Sequence, residues 1–335
     1  MADFYMLVGL MGSGKSTLAE KLFYEISESM IISSDETRKY LFGDVSFQGD
    51  NAKVFEEMKI QTEKALKDGI NVIYDATNLS RKKRMALIKN LKFADKKIVF
   101  YVATSFKRCV ENDLDRTRNV EYYVIARAYK QLQIPIKSEG WDEIHTIYNK
   151  KDFELTDMRA EIHYNALMSI VNNKDVTCES FELELSSISE DFSNIRGLSQ
   201  DSKYHHFSVS RHTYYVFKYI KELAMDKKRK EDLLIASIFH DTGKYFCKSF
   251  INHKGAPTRY ASFIGHELVS SQIADLTLYE LGFDRDRINN ITTLIQFHMD
   301  LNQEGDKVMS RLEKLLTPEQ IEDLLILHEA DLSAK

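Results

Sequence analysis

Apolar and polar positions follow two different rhythms along the chain, and the change falls near its middle. Over the first 150 residues, short apolar runs recur at Phe4–Val8, Met30–Ser34, Asn71–Tyr74, Lys97–Ala103 and Ile144–Tyr148. Each is too short for a helix and reads as a strand buried on both faces, the pattern of a parallel sheet. Between them the period lengthens to that of helices: Thr17–Tyr24, residues 51–68, a segment carrying Arg81 to Arg84, Phe106–Arg118, and Glu121–Leu132, the last stopping before Pro135. Beyond this the strand rhythm fades. Met158–Val171 is an amphipathic helix, Phe181–Ile188 fits strand or helix, and residues 186–202 are rich in Ser, Asp and Asn. Helical periodicity then returns from Tyr204 to about Ala224, over Lys230–Phe239, from Phe263–Glu267 onward, over Ile291–His298, and in a last helix ending at His328–Asp331. The pattern predicts an α/β domain over 1–155, with helices flanking a parallel sheet. A connecting segment, 156–203, keeps regular apolar residues and is expected to pack on an all-α second domain over 204–335.

A length of 335 residues suits two cores better than one. No apolar run approaches the ~20 residues of a membrane span, and the start lacks a charged-then-apolar export signal, so no membrane partner is expected. Cys109, Cys178 and Cys247 are too few and scattered for a disulfide frame or a thiolate metal site, which points to a reducing cytoplasm. Nothing in the pattern sets an oligomeric state. The net charge of -5 is unevenly spread: residues 1–150 carry 24 Lys/Arg against 21 Asp/Glu, so the remainder is acidic. A polynucleotide bound by a short end needs only a local basic groove, so total charge does not exclude one. Histidine is partitioned more sharply, with eight of ten from His205 onward. Two chemistries in two halves is the simplest account.

In the first half, Gly9-Leu10-Met11-Gly12-Ser13-Gly14-Lys15-Ser16-Thr17 satisfies Gly-x-x-x-x-Gly-Lys-[Ser/Thr] between an expected strand and an expected helix. Glycines let backbone N–H groups turn toward phosphate oxygens, and the helix N-terminus adds partial positive charge. Lys15 reaches the β/γ-phosphates and Ser16 can bind Mg²⁺. The chain is therefore expected to bind ATP or another nucleoside triphosphate with Mg²⁺. Ligands of open parallel sheets sit at strand C-terminal ends, so Asp35 and Arg38, after the second strand, project toward the same cleft. Asp35 could take the proton of an attacking hydroxyl, and Arg38 could fork a substrate phosphate; a helix cap and its solvated neighbour is the plainer reading. Asp75, at the tip of the third strand, has three roles open: orienting Arg38, polarising the acceptor, or capping the next helix. Arg81-Lys82-Lys83-Arg84 reads as a solvated helix face first and a nucleic-acid track second. Asn112, Arg116 and Arg118 suit a mobile lid that neutralises donor phosphates, with plain surface charge as the alternative.

In the second half, His212, His240-Asp241-Thr242-Gly243-Lys244, His266, His298 and Asp331 lie on separate expected helices. They converge only if the bundle builds a shared site, which is what a divalent metal centre needs. A carboxylate beside an imidazole can bridge two ions, and water held there becomes a nucleophile near neutral pH. Any one of these histidines alone would more often be a packed core residue.

Residues 1–150 resemble the kinase domain of phage-type polynucleotide 5′-kinases within the wider P-loop kinase group. The likeness is carried by Gly9–Thr17, Ser34-Asp35-x-x-Arg38, Asp75-x-Thr77-Asn78-Leu79, the run Asn112–Arg116, and Val124–Tyr129 with Pro135. It implies Asp35 as the base that activates a 5′-hydroxyl, Arg38 with Asp75 and Asn78 on the acceptor, and Arg116 or Arg118 on the donor. Residues 204–331 resemble the HD phosphohydrolase superfamily, closest to HD domains accompanying bacterial CCA-adding enzymes. That likeness implies His212, His240, Asp241 and Asp331 as metal ligands, His266 and His298 as further ligands of a two-metal site, and Lys244 on a substrate phosphate. Mn²⁺, Ni²⁺, Co²⁺ or Fe²⁺ would suit it. His205, His206 and His328 fit either supporting or ordinary polar positions, and His253 a surface one. The pairing resembles HD-containing bacterial polynucleotide kinases, whose domains come in the opposite order. It implies an enzyme that heals RNA, or DNA, ends by 5′-phosphorylation and by removal of 2′,3′-cyclic or 3′-phosphates, ahead of an RNA ligase. The rival readings are a small-metabolite kinase joined to an HD nucleotidase, and a regulatory or docking HD module.

Overall fold

The computed structural model describes residues 2–45, 47, 49–116, 119–149, 157–202, 206–252, 254–303 and 305–334. They form two compact units, 1–152 and 153–335.

Unit 1 is built on five strands, β1 (Ala2–Val8), β2 (Ser29–Ser33), β3 (Asn71–Asp75), β4 (Ala94–Ala103) and β5 (Glu143–Tyr148). All pairs are parallel and the order is β2-β3-β1-β4-β5. Parallel pairing forces each connection back over a face of the sheet, and helices fill that role: α1 (Lys15–Glu25), α2 (Ser34–Phe42), α3 (Asn51–Lys67), α4 (Arg81–Asn90), α5 (Phe106–Leu114) and α6 (Tyr122–Tyr129). Phe4, Val8, Val72, Ile73 and Val99 are fully buried between these layers, each contributing about 1.5–3 kcal/mol by leaving water. Leu7, Ala19, Leu22 and Ile73 form the contact between α1 and the sheet. With β1 central, β3 on one side and β4 on the other, the crevice opens at the C-terminal ends of these strands.

The differences from the expected elements have local causes. Ser34 belongs to α2 rather than to the second strand, because the Ser33 hydroxyl accepts from Asp35 N and starts the helix immediately. Helix α5 ends at Leu114 rather than Arg118, where the Asp113 carboxylate accepts from Val120 N and folds the chain back. Arg118 lies outside the described residues. The Arg81–Arg84 cluster is not one solvated face: Lys82 and Lys83 are exposed, but Arg81 and Arg84 are buried. Arg84 donates to both oxygens of Glu139, at 2.7 and 2.6 Å, and to the carbonyls of Asn78 and Leu79. Arg81 and the Trp141 indole complete the carboxylate's shell.

Unit 2 is helical: α7 (Asp157–Asn172), α8 (Cys178–Ile188), α9 (Glu190–Ile195), α10 (Val209–Glu222), α11 (Lys227–Phe239), α12 (Lys244–Cys247), α13 (His266–Glu280), α14 (Arg285–Phe297), α15 (Asp306–Leu315) and α16 (Pro318–Ser333). Ser208, Asp226, Asp284 and Thr317 each accept a backbone N–H three residues on, fixing four of these starts. Every residue from Asp232 to Phe239 is buried, because α11 is surrounded by α10, α13, α14 and α16. The helices α7 to α9, formed by the connecting segment, pack with α10, α11 and α12. The unit also contains an antiparallel ribbon, β6 (Ser249–Ile251) and β7 (Pro257–Ser262), that helical periodicity did not foresee.

Candidate active sites

In unit 1 the loop after β1 is shaped by its glycines. Gly12 has φ +76, and a Cβ there would stand 2.0 Å from the Cys109 carbonyl oxygen of α5, so both conformation and space require glycine. Gly14, with φ +96, caps α1 and puts Lys15, Ser16 and Thr17 in its first turn, where N–H groups lack intrahelical partners. Gly9 N bonds to Thr77 O, joining the ends of β1 and β3. Two braces come from residues whose roles the sequence did not signal: Thr104 Oγ1 donates to Ser13 O at 3.0 Å, and Asn112 Nδ2 to Gly12 O at 2.8 Å.

Lys15 Nζ is buried and donates to Leu10 O at 2.5 Å. Burial pushes its ammonium down to about 8, against the pull of Asp75 and with the help of Arg116. Ser16 Oγ donates to Asp75 Oδ2 at 2.9 Å. Burial raises the Asp75 carboxyl, opposed by Lys15 and by that hydroxyl. Asp75 therefore faces the phosphate loop: of its three open roles, orienting Arg38 is not what its bonds do. Arg38 instead binds Asp35 Oδ1 at 2.8 Å and Asn51 Oδ1 at 3.0 Å, linking α2 to α3. The Asp35 side chain is 59% exposed, while that of Arg38 is 10% exposed. Asn78 has left-handed backbone, and its amide donates to Leu7 O and Ala76 O, so it ties the two central strands together. Arg116 is half-exposed just beyond α5, and its charge is felt by both Lys15 and Asp75. Lys15, Ser16, Asp35, Asp75 and Arg116 thus gather at the strand ends, a set suited to a triphosphate, its Mg²⁺ and an attacking hydroxyl.

In unit 2 the six expected ligands come together. His212 from α10, His240 and Asp241 at the end of α11, His266 starting α13, His298 ending α14, and Asp331 on α16 meet at one centre. His212 Nε2 lies 2.8 Å from Asp331 Oδ1 and 3.5 Å from Asp241 Oδ2. His240 Nε2 lies 3.4 Å from Asp241 Oδ2, and His266 Nε2 lies 3.2 Å from both Asp241 Oδ1 and His298 Nε2. The donors fall into two groups, His212 with His240 and Asp331, and Asp241 with His266 and His298, each within 4.8 Å. Asp241 reaches both groups with its two oxygens.

All four imidazoles are held the same way. The Nδ1 atoms of His212, His240, His266 and His298 sit 2.7–2.9 Å from the carbonyls of Ala334, Ser237, Phe263 and Ile295. A carbonyl only accepts, so each Nδ1 carries the proton and each Nε2 presents a lone pair inward, the tautomer of a metal ligand. His240 Nε2 is buried and makes no well-formed hydrogen bond among the described residues, a cost no packing argument explains and a cation would remove. Burial, with His266 and His240 nearby, lowers His298 to about 3, so it stays neutral. For His240 burial opposes the proton, but Asp241 and Asp331 outweigh it and raise its value. Burial likewise works against the charge of Asp241, yet His240 and Lys244 hold it well below the usual carboxylate range. The donor set fits two divalent ions sharing Asp241.

The rest of the His-Asp-x-Gly-Lys motif has a structural reason. A Cβ on Gly243 would come within 2.5 Å of the His266 carbonyl, so glycine lets α13 close on the motif. Lys244 Nζ reaches Asp241 Oδ2 at 2.7 Å and Gln200 Oε1 at 2.9 Å, above the Phe263 ring. Gln200, from the connecting segment, carried no sequence signal. A cleft of about 530 Å³ opens over this centre, with Gln200, Lys244, Phe263, His266, Gln303 and Asp331 among its walls. His206 is exposed and His328 half-buried on α16, while His205 and His253 lie outside the described residues.

The fold is thus a P-loop, kinase-like α/β domain followed by a helical HD domain. Residues 4–133 match the AAA domain family and residues 209–334 the HD domain family. The CC-adding tRNA nucleotidyltransferase of Thermus thermophilus is 32% identical over 97 residues, 29% of this chain. The chain spans about a fifth of that relative's length, 21%. Among solved structures, the Pnkp1/Rnl/Hen1 complex matches with 24% identity over 36% of this chain and 41% of the other, at a TM-score of 0.31. A second structure, of the Pnkp1/Rnl/Hen1 RNA repair complex, matches with 23% identity over 39% and 44%, at 0.36. Among the described residues no helix is long and apolar enough to cross a membrane.

Proposed function

We propose that the chain heals nucleic-acid ends, as an ATP-dependent 5′-hydroxyl polynucleotide kinase and a metal-dependent 2′,3′-cyclic phosphate and 3′-phosphate phosphohydrolase. The reading is carried by two polar clusters on one chain, one around Lys15, Ser16, Asp35 and Asp75, the other around Asp241, each with the chemistry a phosphate ester would need. Breakage that leaves a 5′-hydroxyl and a 2′,3′-cyclic phosphate produces ends that need both activities before an RNA ligase can join them.

At the first site Asp35, exposed at the mouth, accepts the proton of the 5′-hydroxyl as that oxygen attacks the γ-phosphorus of ATP in line. The bond from the γ-phosphorus to the β–γ bridging oxygen breaks, and ADP leaves. Lys15 and Arg116 offset the charge on the transferring group, and Ser16 with Asp75 holds Mg²⁺. Arg38, which already bonds Asp35 through Nη1, aligns the acceptor. An aromatic surface lies along α2 and the loop after it: Tyr40 is exposed, and the tilted rings of Phe42 and Phe47 have centroids 4.6 Å apart, with Lys53 over Phe42. An open face of this kind supports a polymeric acceptor over an enclosed small molecule. At the second site, bound divalent ions supply Lewis acidity and an activated water. His212, His240, Asp241, His266, His298 and Asp331 hold them there, and Lys244 neutralises the substrate phosphate.

The test is incubation with γ-labelled ATP and a panel of 5′-hydroxyl RNA, DNA and nucleosides, alongside RNA ending in a 2′,3′-cyclic phosphate. Label on the polymers and release of inorganic phosphate from the 3′ end are expected. Label confined to nucleosides would turn the reading to a metabolite kinase.

A further inference from the structure

Between the HD motif and the next metal ligand, residues 242–266 contain Lys244, Lys248, Lys254 and Arg259 and no Asp or Glu. This acid-free stretch sits in the acidic half of the chain. It includes the β6–β7 ribbon, which leaves after α12 at Ser249 and returns through Ala261, Ser262 and Phe263 in the wall of the cleft. Its base is anchored: Lys248 pairs with Asp201 and Ser199 O, and Ala261 N bonds to Asp201 O. Its outer part is not packed on the core. Phe250, Ile251 and Tyr260 are 44%, 55% and 40% exposed, large apolar groups on a two-stranded ribbon that has no core of its own. The Arg259 guanidinium lies 5.4 Å over the Tyr260 ring and Lys248 lies 5.8 Å from Phe250. Lys254 and Arg259 have no carboxylate partner among the described residues.

We infer that the β6–β7 ribbon is the docking surface for the single-stranded segment just upstream of the 3′ end whose phosphate enters the metal cleft. The inference rests on the phosphohydrolase reading above. Cations without carboxylate partners match a phosphate backbone, and exposed rings offer faces on which unpaired bases stack, a surface that a duplex with its bases already stacked cannot use. The ribbon's continuity with the cleft wall places this surface where the chain leading to the terminal phosphate must pass. A mononucleotide has no upstream bases to offer the exposed rings.

The triple variant Phe250→Ala, Arg259→Ala, Tyr260→Ala in the full chain alters only exposed side chains. On a short single-stranded RNA with a 2′,3′-cyclic phosphate its kcat/KM should fall about tenfold or more, mainly through KM, as loss of base stacking implies. On a nucleoside 2′,3′-cyclic monophosphate it should match the parent. Equal losses on both substrates, or no loss on the RNA, would overturn the docking role. If the parent hydrolyses neither substrate, the phosphohydrolase reading fails on its own, and cross-linking still decides the ribbon. RNA carrying 4-thiouridine near its 3′ end should attach to peptides within 249–262; attachment only elsewhere refutes it.

Discussion

The two candidate sites of this chain are built from opposite materials. The loop between β1 and α1 is contiguous and binds through backbone N–H groups, which every residue but proline possesses; what it demands is shape, enforced where Gly12 meets Cys109 O. The HD cluster is dispersed from His212 to Asp331 and offers side-chain atoms, its four imidazoles each aimed by a carbonyl on Nδ1. One site should fail when a methyl group is added, the other when an atom is changed without any change of shape.

The sharpest break of that contrast is Asp241→Asn. Volume is preserved, but the charge shared by both donor groups is lost, so hydrolysis should fall by about 10³-fold or more, since the ions supply several kcal/mol at the transition state. Bound metal, counted by elemental analysis, should fall with it while 5′-phosphorylation persists. Asp35→Ala should do the reverse, with a loss of about 10²–10⁴-fold in kinase rate, the range for a general base. Loss of both activities in either variant would contradict two separate chemistries.

Next in size is an effect on stability alone. Glu139 is buried against Arg81 and Arg84, and removing it strands two guanidinium groups away from water. Glu139→Ala should destabilise unit 1 by about 3–5 kcal/mol in denaturant unfolding, whereas a solvated-face reading of residues 81–84 predicts almost nothing. Gly12→Ala follows. Strain at a positive φ is worth about 1–3 kcal/mol, so nucleotide affinity should weaken about tenfold to a hundredfold. A titration showing unaltered ATP binding would mean that α5 can retreat from the loop.

The contrast in materials also explains what could be read in advance. The strands announced themselves as apolar runs and the phosphate loop as one motif, because local pattern determines both. The HD ligands were visible as residue types but needed the bundle to bring them together. What stayed hidden was pairing between distant positions: Arg84 with Glu139, Asn112 with the loop, Gln200 with Lys244. No local rhythm distinguishes a buried arginine from a solvated one when its partner lies 55 residues away. Ser16 on Asp75 is of the same kind, and it narrowed a role that the strand-tip position alone left open. The β6–β7 ribbon was missed for another reason: Ser249–Ile251 is only three residues long, and Pro257–Ser262 has neither an apolar run nor a regular alternation.

The smallest expected effect is one of pH. Burial leaves Lys15 titrating near about 8 instead of its usual value, and a triphosphate beside it favours the ammonium. Below that pH the free protein already carries the proton and binding takes up little. Above it the free lysine is neutral, binding must draw a proton from solution, and affinity should fall toward tenfold for each further pH unit. Calorimetry in buffers of different ionisation enthalpy should show uptake approaching one proton about one unit above Lys15's value. Lys15→Arg, whatever its absolute affinity, should flatten the slope because a guanidinium remains charged. A parent protein whose affinity is level across this range would show that Lys15 does not meet the phosphates as a newly charged group.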